Sequence, residues 1–123
     1  MLKGAAIVTG AARHLDLLPN LTAETRVWPI PFADGIEPLL ALRGRSVVIL
    51  ASGDPFWFGA GSVLARHLER TEWQALPAPS VASHAAAHLG WPLEKTPVFG
   101  LHAAPLQRLR PALYAGAQLL VLL

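Results

Sequence analysis

Arg45-Ser46-Val47-Val48-Ile49-Leu50-Ala51-Ser52-Gly53-Asp54-Pro55 is the stretch on which the fold turns. Four successive β-branched or leucine residues, Val47 to Leu50, have no polar alternation. Such a run predicts a central parallel strand covered on both faces. It ends in Ser52-Gly53-Asp54-Pro55, a sharp turn, and a helix is expected from about Gly59 to Arg70.

Towards the amino end, Ala5-Ala6-Ile7-Val8 closed by Thr9-Gly10 reads as a second buried strand, and Arg13 to Leu18 as a helical turn stopped at Pro19-Asn20. Arg26 to Ile30 is extended, with Pro29 placing it at a sheet edge or at its own end. Asp34 and Glu37 have capping-box spacing, so a helix is expected through Ile36, Leu39, Leu40 and Arg43, with Pro38 tolerated in its first turn.

Towards the carboxyl end, Trp73 to Leu76 reads as a strand. Ser80 is expected to cap an alanine-rich helix to Leu89, stopped by Gly90 and Pro92. Pro97 to His102 and Gln118 to Leu123 read as strands around a short helix near Leu106 to Arg110. Alternating strands and helices predict an α/β protein with a mostly parallel sheet and flanking helices. Pro77-Ala78-Pro79 marks the boundary between a first domain, residues 1–78, and the beginning of a second α/β domain, residues 79–123.

The 123 residues carry a formal charge of only +2, and their arginines are scattered rather than striped. A nucleic-acid surface would need clustered base charge, so that partner is not expected. Scattered guanidinium forks suit carboxylates or plain solvent. Without cysteine, neither disulfides nor thiolate chemistry is available. No stretch approaches the ~20 apolar residues of a membrane span, and no signal-peptide pattern is present, so the cytoplasm is the expected location.

Ligands of open α/β sheets bind at the carboxyl ends of the strands, which points to Ser52–Gly59. Gly53 permits close approach to the backbone. Asp54 opposes phosphate and suits hydroxyl, amino or sulfonium groups, and Pro55 is expected to leave carbonyl oxygens exposed to them. On the residues alone, a plain strand-to-helix turn with Asp54 as a cap remains equally open. Arg13 and His14, at another strand end, could meet substrate carboxylates or simply start a helix. His84 and His88 are four apart on a predicted helix, but no third ligand supports zinc, so no metal is expected. His67 is expected to pack among apolar neighbours.

The Gly-Asp-Pro-x-x-x-Gly pattern at Gly53 to Gly59 resembles the signature of the tetrapyrrole (corrin/porphyrin) methylases. Arg13-His14-Leu15, Ala51 to Gly61, Pro79 to Pro92, and Leu101-His102 followed by Pro105 are similar to the branch of that family that methylates C5 and C15 of precorrin-6Y. The resemblance runs from about Gly4 to Leu123. It implies a tetrapyrrole methylase-like first domain plus the start of the second, with the cofactor in a cleft between two α/β domains. It further implies that Ser52, Gly53 and Asp54 contact S-adenosylmethionine, that Trp57 lines the same pocket, and that Ala82 and Ser83 form a second cofactor segment. The implied activity is C-methylation of a precorrin at C5 in cobalamin biosynthesis, with a small-molecule substrate, no nucleic acid or membrane, and a homodimer compatible.

Family members begin with a further strand, a glycine-rich loop and a helix before the segment matching Leu2 to Gly10. The sequence therefore reads as a partial domain, the alternative being a non-catalytic remnant or assembly module that keeps the fold. Unpaired strand edges and the apolar run Leu119 to Leu123 predict self-association of the isolated chain. Sedimentation at increasing concentration is expected to show growing oligomers; a clean monomer at high concentration contradicts this reading.

Overall fold

Ile7 and Val8 are fully buried, and they lie in strand β1 (Ile7–Gly10), around which the first of two compact units is built. The computed structural model describes residues 2–102 and 104–123. The first unit is Met1–Leu76 and the second Pro77–Leu123.

β1 pairs in parallel with β2 (Glu24–Val27) on one side and β3 (Val47–Ile49) on the other. Ile7 stands beside Glu24 and Val47, and Thr9 beside Arg26 and Ile49. The order β2-β1-β3 corrects one expectation: the Val47–Leu50 run is an edge strand of this sheet, and it is half-buried. Apolar content reports burial of side chains, whereas centrality is set by which backbone finds two partners, and β1 does. The pairing continues past β3, where the Leu50 N–H donates to the Thr9 carbonyl at 2.7 Å. β2 is exposed and lies at the other edge, with Pro29 beyond its end.

Three short helices follow the strands of this unit: α1 (Ala12–Leu15), α2 (Ile36–Leu40) and α3 (Ala60–Leu64). The expected capping box at Asp34 and Glu37 does not form. A 3-10 turn over Phe32–Gly35 leads into α2 instead, and Gly35 takes the cap position without a side-chain bond. A Cβ at Gly35 would overlap the Trp28 indole, which lies against it. That indole stacks on Phe32 at 4.9 Å and donates to the Phe32 carbonyl at 3.0 Å. Steric access for Trp28 therefore decides this turn, ahead of the local capping pattern.

The helix expected to reach Arg70 stops at Leu64, and His67 is exposed rather than packed. A capping box does form further on, between Glu69 and Glu72, with the Glu69 N–H donating to Glu72 Oε2 at 2.7 Å. Trp73 to Leu76 joins neither sheet. Trp73 packs instead, 5.3 Å from the Phe56 ring and under the Arg70 guanidinium at 4.6 Å, while Leu76 is exposed.

In the second unit, α4 (Val81–Leu89) begins at Ser80, whose Oγ accepts from the Ser83 N–H, and ends at Gly90 in the left-handed region, φ 67°. Glycine carries no Cβ penalty there. Ala82 and Ala86 are buried, as are Leu101 and Thr96. β4 (Val98–Gly100) and β5 (Leu120–Leu122) form a parallel pair.

Arg43 closes the first unit from below α2. Its Nε donates to Glu72 Oε1 at 2.6 Å and its NH2 to Glu72 Oε2 and the His67 carbonyl, both at 3.2 Å. The guanidinium, with the Glu69 N–H, holds the Glu72 carboxyl below the ordinary glutamate range. A carboxyl depressed in the folded chain stabilises fully above the ordinary glutamate range and loses that contribution as pH falls through the folded value. Wild type should therefore melt above Glu72→Gln at neutral pH, by a modest, salt-sensitive margin. The two melting curves should converge in acid; a gap unchanged by acidification would contradict the clamp.

Candidate functional site

The carboxyl ends of β1 and β3 lie side by side, so the segments that leave them meet. β1 feeds Gly10-Ala11 and then α1, which carries Arg13 and His14. β3 feeds Leu50-Ala51 and then Ser52. His14 Nε2 and Ser52 Oγ are hydrogen-bonded at 2.9 Å, and Arg13 NH2 donates to the same oxygen at 3.5 Å. The sequence singled out all three residues separately. It did not predict their meeting, because 38 positions separate His14 from Ser52 and only the parallel register brings them together.

Beyond Ser52 the loop is folded on its own backbone. Gly53 adopts φ 60°, a left-handed conformation that glycine enters freely. Asp54 Oδ1 accepts from the Phe56 N–H at 2.8 Å, and the Asp54 carbonyl accepts from the Trp57 N–H at 3.2 Å. This is an Asx turn, in which a short carboxylate replaces a backbone acceptor. Oδ2 takes no part in that turn. The Pro55 carbonyl, expected to stay exposed for a ligand, accepts from the Gly61 N–H at 2.8 Å. It is drawn in because two glycines clear the way. A Cβ at Gly59 or Gly61 would stand 2.6 or 2.7 Å from the Pro55 oxygen.

The loop's aromatic rings face outward. Trp57 is 47% exposed and meets Phe58 edge-on at 5.5 Å. Phe58 has φ 52°, which strains a non-glycine residue. A hollow of about 260 Å³ opens at the strand ends, lined by Trp28, Ile30, Phe32, Ile49, Leu50 and His14 among others, and touched at its rim by the loop only through His14, the partner of Ser52. Trp57 is not among its lining residues. The hollow is almost wholly apolar in its walls, with His14 as its polar side chain. Sequence reasoning missed it, although Trp28 and Phe32 flanking a proline pair carried an aromatic signal.

The other segment, Ala82-Ser83, belongs to the second unit. Ala82 is 1% exposed, and Ser83 Oγ is hydrogen-bonded to Ser80 Oγ at 3.0 Å while its N–H is capped by Ser80. Helix capping thus accounts for both serines as they stand. His84 and His88 are exposed on α4, and among the described residues no group of three or more histidine, aspartate or glutamate side chains could hold a metal ion. Among the described residues no helix is long and apolar enough to cross a membrane.

Chemically, the Ser52–Trp57 loop offers a hydroxyl, one carboxylate oxygen outside its turn and a backbone opened by glycine, with a guanidinium near Ser52. Phosphate would meet Asp54 unfavourably. A polar ligand with amino or hydroxyl groups and an apolar ring matches this loop and the adjoining hollow better.

The sequence pattern of the family described as Tetrapyrrole (Corrin/Porphyrin) Methylases matches residues 1–123. A precorrin-6Y C(5,15)-methyltransferase [decarboxylating] of Sinorhizobium sp is 43% identical over 123 residues, 99% of this chain and 30% of that relative. One of the same description from Mycobacterium tuberculosis is 35% identical over 104 residues, 84% of this chain and 26% of the relative. A cobalt-precorrin-7 C(5)-methyltransferase of Salmonella typhimurium is 28% identical over 86 residues, 70% of this chain and 43% of the relative. This chain therefore spans under a third of the length of the first two relatives. The crystal structure of the methyltransferase CobJ superposes with a TM-score of 0.67 at 25% identity, covering 89% of this chain and 52% of that one.

Gly61→Ala tests the close approach at Pro55. Helix propensity alone would favour alanine by about 1 kcal/mol. Forcing Cβ against a backbone oxygen should outweigh that gain and leave a net loss of about 1–3 kcal/mol in chemical denaturation. Equal or greater stability of the variant would show that the approach is not enforced.

Proposed function

The chain belongs to the tetrapyrrole (corrin/porphyrin) methylase family, and from that premise we propose that it carries the S-adenosylmethionine loop of a C-methyltransferase acting at C5 of a precorrin. The names of the relatives, a precorrin-6Y C(5,15)-methyltransferase and a cobalt-precorrin-7 C(5)-methyltransferase, support the reaction class and the substrate class. The observation that carries the proposal is the Ser52–Trp57 loop itself. It lies at a strand's carboxyl end, with a left-handed glycine and a carboxylate that keeps one oxygen outside its own turn.

The donor set fits the cofactor's chemistry. S-adenosylmethionine supplies an activated methyl group on a sulfonium, along with amino and hydroxyl donors. In this reading Gly53 admits the ligand against the backbone, Asp54 Oδ2 accepts from one of its donors, and Ser52 and Trp57 border it. Ala82 and Ser83 are proposed as a further cofactor-contacting segment, Ala82 through its backbone because its side chain is buried. Arg13 directs one of its five donors at Ser52, which leaves others for a substrate carboxylate, and His14 is proposed beside it. Displacement of a methyl group from a sulfonium asks the protein for alignment and exclusion of water more than for a nucleophile.

One observation favours a second reading, in which the loop is a structural turn in a non-catalytic protein. Asp54 Oδ1 and the Pro55 carbonyl are already satisfied within the chain, as they would be in a plain turn. Calorimetric titration of S-adenosylhomocysteine into the chain separates the two. Saturable binding is expected, with a loss of about tenfold or more when Asp54→Ala and Gly53→Val are combined. No binding by the wild type favours the structural turn, and unchanged binding by the double variant removes the loop from the site.

A further inference from the structure

We propose that His14 is a positioning residue that fixes the Ser52–Gly53–Asp54 loop through Ser52; the ligand arm of its test rests on the cofactor reading above. Three observations combine. His14 Nε2 is bonded to Ser52 Oγ at 2.9 Å, the shorter of two side-chain bonds that link α1 to the start of the loop. The neighbouring Arg13 donates to the same oxygen at 3.5 Å. The other ring nitrogen, Nδ1, is buried and has no partner among the described residues.

A guanidinium only donates, so Ser52 Oγ accepts from Arg13 and keeps both its own hydrogen and a second lone pair, either of which serves the bond with Nε2. Among the described residues the side-chain partner of the ring is Ser52, so the hydrogen bond it makes is made at the loop. Ser52 immediately precedes Gly53, which takes a left-handed conformation, so an anchor there sets where the Gly53 and Asp54 groups begin. The ends of β1 and β3, already paired through their backbones, are thus tied again, side chain to side chain, just past their carboxyl ends.

The tests separate this role from simple packing. His14→Phe keeps the ring and removes both nitrogens; His14→Gln keeps a polar atom at about the reach of Nε2. In the ligand-free chain, the backbone amide signals of Gly53, Asp54 and Trp57 should shift and broaden in His14→Phe, and return towards wild type in His14→Gln. Binding of S-adenosylhomocysteine should weaken about fivefold in His14→Phe, the loss expected for one net hydrogen bond. In a Ser52→Ala background, His14→Phe should then cost nothing more, because its only route is already cut. Unmoved loop amides in His14→Phe, or additive losses in the double variant, would overturn the proposal. If the wild type binds no S-adenosylhomocysteine, the cofactor reading fails, and the amide signals still decide the role of His14.

Discussion

The backbone of β1 is the element on which the first unit depends. Its residues pair in parallel with β2 and with β3, and its side chains Ile7 and Val8 are shut off from water. That double pairing fixes where β1 and β3 end relative to each other. A shift of one residue in the register of β3 would turn its side chains to the opposite face. It would also carry Ser52 away from His14. The candidate site is therefore a consequence of strand register before it is a matter of any single side chain.

From those strand ends the loop is shaped by a second constraint, the absence of side chains at Gly59 and Gly61. With nothing beyond Cα, the start of α3 closes on the Pro55 carbonyl, and Gly61 donates to it. Asp54 turns the chain ahead of it by accepting from Phe56. What these internal bonds leave over for a ligand is the Gly53 backbone and the second oxygen of Asp54, while the Ser52 hydroxyl is already engaged by His14 and Arg13. The motif shared with the methylase family is thus a folding device, and on the proposed reading the same few residues also face the ligand. That double use explains why composition alone left a turn and a ligand site equally open.

Local signals were legible from the sequence where the structure is locally determined. The helix from Ser80 to Gly90 was readable at both ends, because a serine cap and a left-handed glycine act within one turn. The strands at Ile7 and Val98 were readable from short apolar runs. Features set by distant partners were not. Val47 to Leu50 looked central because it is the most apolar run, yet its burial comes from one neighbour and covering side chains. Asp34 and Glu37 had the spacing of a capping box, but the Trp28 ring occupies the space that governs that turn. Glu69 and Glu72 form the box instead, and Arg43 holds Glu72 from another element. Trp73 to Leu76 has strand composition and no partner among the described residues. In the candidate site, the sequence marks out Ser52, Asp54, Arg13 and His14 one by one, but not the hydrogen bonds joining Ser52 to Arg13 and His14.

The central claim is that the loop at the end of β3 holds S-adenosylmethionine. Photo-crosslinking with an S-adenosylmethionine analogue, followed by peptide mapping, tests it most directly. Label should concentrate on peptides containing Ser52 to Trp57 and disappear when excess S-adenosylhomocysteine competes. Label that spares this loop, or that survives the competitor, would contradict the claim.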